Sequence, residues 1–86
     1  LEAMADGGVL CGLTRPQAME YAAFTMMGTA ALLTETGKHP GEVKDAVCSP
    51  GGSTIMGVRA LEAGAFRSDV MNAVTAAYEK TKLLGK

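Results

Sequence analysis

The sequence predicts an all-α fold, and three observations carry that prediction. No stretch alternates polar and apolar residues at period two, and no Asn-Gly or Asp-Gly pair joins β-branched runs. Apolar residues recur instead at helical spacing, as in Val43, Ala46 and Val47. Prolines and glycines fall where helices start and stop: Pro16 and Pro40 near starts, Gly37, Gly64 and Gly85 after ends. Together these give a bundle of about five helices in one domain.

The first residues, Leu1 to Leu10, fit the end of a helix. Leu1, Met4 and Ala5 share a face, and Gly7-Gly8 is expected to weaken or end the turn. A start at Leu1-Glu2-Ala3-Met4-Ala5 reads as helix interior, so the C-terminal piece of a longer protein is expected. Val9, Leu10 and Leu13 carry the chain onward, with continued helix as the open alternative, and Gly12 supplies a break. Thr14-Arg15-Pro16-Gln17 then forms a capping box, with Thr14 accepting from the Gln17 N–H and Gln17 reaching back. The helix it opens should run about twenty residues, to the stop at Gly37. Between Pro16 and Thr34 its one charged residue is Glu20, and its apolar side chains go nearly all round. Such a helix is buried on all sides. A membrane span is the competing reading and is disfavoured, because Ala, Thr and Gly dominate the segment and its flanks lack anchors. The small residues Gly28, Ala30 and Ala31 suit close helix packing, in the centre of an interlocked dimer or bundle.

His39-Pro40-Gly41 begins a short helix, with Glu42 in the first turn, where a negative charge favours the helix dipole. Ser49-Pro50 ends it, because a residue before proline avoids the α region. Ser53 or Gly52 caps the next helix, in which Ile55, Val58 and Leu61 repeat, and Gly64 stops it. The last helix begins between Phe66 and Asp69 and runs to Leu84, with Phe66, Val70, Val74, Ala77, Tyr78 and Thr81 on one face. Glu79 and Lys82 on the other face are placed to pair weakly.

Composition narrows the function classes. Of the 86 residues 48% are apolar, yet there are only two Tyr, two Phe and no Trp. A chain so short and so poor in large rings is expected to complete its core against another subunit or domain. The net charge is −1 with no basic stripe, so nucleic acid is not an expected partner. Cys11 and Cys48 form no metal or redox motif, and two free thiols in a reducing cytosol are expected over a disulfide. There is no signal-peptide pattern; the expected location is cytoplasmic.

The stretch Cys48-Ser49-Pro50-Gly51-Gly52-Ser53-Thr54 is the candidate site. The helix opening behind it has free N–H groups and a positive dipole end, which suit an anion. Gly51 and Gly52 let backbone approach a ligand, and Ser49, Ser53 and Thr54 add hydroxyls. With no Lys or Arg in the loop, a small carboxylate fits better than a triphosphate. The plainer reading is a helix connection with Ser53 as N-cap, made of ordinary turn residues. Other candidates are weaker. His39 reads as structural or surface, and Glu42 and Asp45 as solvent-facing. Cys48 reads as a half-buried thiol with no base beside it. Arg67 reads as a cap on the carbonyls ending the preceding helix. A non-catalytic helical oligomerisation module and a small-anion binder unrelated to redox chemistry are the competing functions.

In order and spacing, His39-Pro40-Gly41, Lys44-Asp45, Ser49-Pro50-Gly51-Gly52-Ser53-Thr54-Ile55, Leu61-Glu62 and Gly64-Ala65-Phe66-Arg67-Ser68 resemble the C-terminal domain of pyrroline-5-carboxylate reductase. Ala5-Asp6-Gly7-Gly8-Val9 and Gly12-Leu13 match its upstream segment, so the likeness covers essentially the whole chain. The resemblance implies an interlocked helical homodimer, whose dimers often assemble further into decamers. It implies an N-terminal Rossmann domain for NADPH or NADH, and reduction of 1-pyrroline-5-carboxylate to L-proline. It also implies that residues 1–86 are the dimerisation and substrate-binding part. The loop of Ser49, Gly51, Gly52, Ser53 and Thr54 would hold the substrate carboxylate through the Ser49 hydroxyl and the N–H groups of Gly52, Ser53 and Thr54. The Thr54 hydroxyl would bond the ring nitrogen, the proton coming from solvent or from an imine already protonated. No Gly-x-Gly-x-x-Gly occurs in these residues, so this part alone is expected to be inactive.

Overall fold

A computed structural model describes residues 1–85. It contains five helices, α1 (Glu2–Leu10), α2 (Arg15–Thr36), α3 (Pro40–Val47), α4 (Ser53–Ala63) and α5 (Phe66–Leu84), and no strand among the described residues. The all-α expectation holds. The chain divides into two compact units, Leu1–Val43 and a second beginning at Lys44.

In the first unit α1 and α2 pack together. The Thr14–Gln17 capping box forms as expected, with Gln17 N donating to Thr14 Oγ1 at 3.3 Å and Thr14 N to Gln17 Oε1 at 3.4 Å. Gly37 closes α2 in the left-handed region at φ 70°, its N–H reaching the Leu33 carbonyl at 2.9 Å. The glycine pair Gly7-Gly8 does not end α1. The helix continues to Leu10, and the break falls at Gly12, whose φ of 107° a side chain rarely adopts. Gly8 has a different task. A Cβ built there would lie 3.1 Å from Ala18 Cβ and 3.2 Å from Leu13 Cδ1, so its bare backbone is what lets α1 approach α2.

The core at that contact is small. Ala5, Ala18 and Ala22 are the buried apolar residues, with Val9 and Met19 packed against them. Asp6 and Arg15 meet above it at 2.6 Å, both more than half exposed. An ion pair so exposed contributes at most about 1 kcal/mol. The expected burial of α2 on all sides is not achieved within this unit, where Tyr21, Phe24, Met26, Met27 and Leu32 remain exposed. α1 covers only one side of it. No helix among the described residues is long and apolar enough to cross a membrane.

The second unit holds α4 and α5. Their corner passes through Ala65, which takes φ 61°. Arg67 Nε donates to Glu62 Oε1 across it at 2.9 Å. That corrects the expectation for Arg67: its guanidinium meets a side chain five residues back instead of carbonyls. Near the end of α5 the Lys82 ammonium stands 5.6 Å from the centre of the Tyr78 ring. It makes a cation–π contact instead of the expected pair with Glu79. A recess of about 560 Å³ lies along the two helices, with Val58, Leu61, Phe66, Val70 and Met71 among its walls.

Candidate functional site

α3 is set by its first residues. The His39 ring accepts the Gly41 N–H on Nδ1 at 2.9 Å, which caps the helix from outside. This gives the structural role expected of His39 a definite form. Asp45 is exposed and pairs with Lys44 at 3.3 Å, and Glu42 is exposed as well, as expected of both. α3 ends as the Cys48 N–H bonds the Asp45 carbonyl at 3.2 Å. Cys48 is a half-buried free thiol and Cys11 an exposed one. Among the described residues no cluster of His, Cys, Asp or Glu could hold a metal ion.

Ser49-Pro50-Gly51-Gly52 then forms a tight turn, closed by the Gly52 N–H donating to the Ser49 carbonyl at 3.0 Å. Proline presets the second position, and Gly51 takes φ 69° at the third. That is the type II arrangement, in which the third position favours glycine. Gly52 follows with φ −79° and ψ 177° and occupies the N-cap of α4. Of the two caps expected, Ser53 and Gly52, the structure selects Gly52 and puts Ser53 one step inside the helix.

No side chain caps α4. Its first-turn N–H groups therefore present their positive end to whatever lies beyond the turn. The Ser49 hydroxyl sits against the same helix end: a Cβ placed on Gly52 would fall 2.5 Å from Ser49 Oγ. Ser49, Ser53 and Thr54 are exposed, and Gly52 is half-buried. The turn thus brings one hydroxyl, an uncapped helix start and the Ser53 and Thr54 side chains into one short stretch, with no cation inside it. One implied donor behaves differently. The Gly52 N–H is already engaged with Ser49, which leaves the N–H groups of Ser53 and Thr54 as the open ones. Sequence reasoning missed the α4–α5 recess, because its walls look like ordinary helix faces until the corner at Ala65 folds them together.

Comparison with known proteins gives consistent matches. A family model described as pyrroline-5-carboxylate reductase dimerisation matches residues 1–84. The pyrroline-5-carboxylate reductase of Arabidopsis thaliana is 51% identical over 86 residues, and that of Escherichia coli 52%. The match takes in 100% of this chain but only 31% and 32% of those two proteins. The chain therefore spans about a third of the curated relatives it matches. Among solved structures, the pyrroline carboxylate reductase of Plasmodium falciparum, with NADP bound, superposes with a TM-score of 0.92 at 36% identity. The superposition covers 99% of this chain and 34% of that one. With the family model spanning nearly every residue and relatives at half identity, the chain belongs to the pyrroline-5-carboxylate reductase dimerisation family.

Proposed function

We propose that this chain is the dimerisation and substrate-binding part of an NAD(P)H-dependent reductase that converts 1-pyrroline-5-carboxylate to L-proline. The observation that carries the reading is the uncapped start of α4 behind the Ser49–Gly52 turn, an anion site without a cation. The substrate's carboxylate fits it, held by the Ser49 hydroxyl and the N–H groups of Ser53 and Thr54. Gly51 and Gly52 shape the turn. Fixing the carboxylate fixes the ring, so that its imine carbon keeps one face open to the hydride donor. The Thr54 hydroxyl bonds the ring nitrogen, and the proton that completes the amine comes from solvent or arrives on a protonated imine.

The described residues hold neither a strand nor the Gly-x-Gly-x-x-Gly turn of a dinucleotide-binding fold. The nicotinamide, when bound by a Rossmann domain of the longer enzyme, supplies the hydride. The second copy of the chain supplies the cover that α2 lacks. Phe24, Met27 and Ala31 form an i, i+3, i+7 row of exposed residues on it. Phe24 lies two positions past buried Ala22, hence on the far side of the helix from α1.

Thr54→Ala in the full-length enzyme is expected to lower turnover roughly 10- to 100-fold, the loss of one hydrogen bond to a charged or polarised group. The dimer should survive unchanged by light scattering. Wild-type kinetics in this variant would remove Thr54 from the reaction and return the loop to a plain helix connection.

A further inference from the structure

Two glycines stand side by side in the turn, and only one of them is explained by its backbone. Gly51 has φ 69°, which the turn requires. Gly52 has φ −79° and ψ 177°, an extended conformation open to any residue. Its missing side chain therefore answers to something else. The nearest atoms to a Cβ at that position are Ser49 Oγ at 2.5 Å and the Ser49 carbonyl oxygen at 3.2 Å. The first distance is not compatible with a real contact.

We propose that Gly52 is a positioning residue for the Ser49 hydroxyl: the empty space beside its Cα is the seat in which that hydroxyl rests against the uncapped start of α4. This deepens the carboxylate reading of the loop and rests on it. A side chain at position 52 turns the Ser49 hydroxyl out of its seat. Rotation about a single serine torsion relieves the closer contact, and the carbonyl at 3.2 Å has to give by only a few tenths of an ångström, so the effect falls mainly on substrate binding. The carboxylate then loses one of its donors while the N–H groups of Ser53 and Thr54 remain.

The test is a double-mutant cycle in the full-length reductase, with 1-pyrroline-5-carboxylate as substrate. Ser49→Ala and Gly52→Ala are each expected to raise KM by roughly tenfold, the worth of one hydrogen bond to a charged group. The Ser49→Ala/Gly52→Ala double variant should show the same KM as either single one, because the second change has no hydroxyl left to displace. Effects that multiply instead would overturn the positioning role while leaving the carboxylate loop standing. Ser49→Ala with wild-type KM would remove the carboxylate reading, and this inference with it. The unfolding midpoint of Gly52→Ala should stay near wild type. A large drop that Ser49→Ala does not relieve would place the clash at the backbone carbonyl and also overturn the proposal.

Discussion

Phe24→Asp is expected to convert the proposed dimer to monomers at micromolar concentration. Phe24 is 60% exposed in the single chain, in a helix whose only charge between Pro16 and Thr34 is Glu20. Covering such a ring is worth about 2 kcal/mol. An aspartate in its place also brings an unpaired carboxylate into the contact, which costs several kcal/mol more. A combined loss of at least about 4 kcal/mol weakens association roughly a thousandfold. Sedimentation or light scattering reads the outcome directly. A dimer that persists undiminished would take the Phe24–Met27–Ala31 row out of the interface.

The second large effect separates two neighbours that look identical in the sequence. Gly7→Ala is expected to stabilise α1, because nothing lies within 4 Å of a Cβ there and alanine is the better helix former by about 1 kcal/mol. Gly8→Leu is expected to destabilise by about 3 kcal/mol, because its Cβ alone would already press on Ala18 and Leu13. Ala18 Cβ sits directly on the backbone of α2 and cannot rotate away, so the helices must part. Urea denaturation of the two variants measures the difference. Shifts of the same sign and size would mean that α1 does not lean on α2 at Gly8.

Local signals were legible in the sequence where partner and signal lie within a turn of each other. The Thr14–Gln17 box, the stop at Gly37 and the proline start of α3 are of this kind. Position 8 was not, because its reason sits ten residues away at Ala18, and a glycine that admits a neighbour reads the same as one that ends a helix. Arg67 failed similarly: its partner Glu62 comes within reach only after the chain turns at Ala65. At the loop, composition pointed to a small anion, and the likeness to the reductases supplied the name of the carboxylate. The commitment of the Gly52 N–H to Ser49 became visible only once the turn was built.

The core made of Ala5, Ala18 and Ala22 has a consequence for how the protein comes to be folded at all. Three buried methyl groups, with the half-buried Val9 and Met19 beside them, remove little apolar surface from water to set against the entropy lost in ordering the chain. Contacts with a second copy, as proposed for α2, then add to the driving force. Folding becomes a reaction whose yield follows mass action: the unfolding temperature should climb as the protein is concentrated and fall as it is diluted. Newly made chains would reach their native state at a rate set by how often they meet.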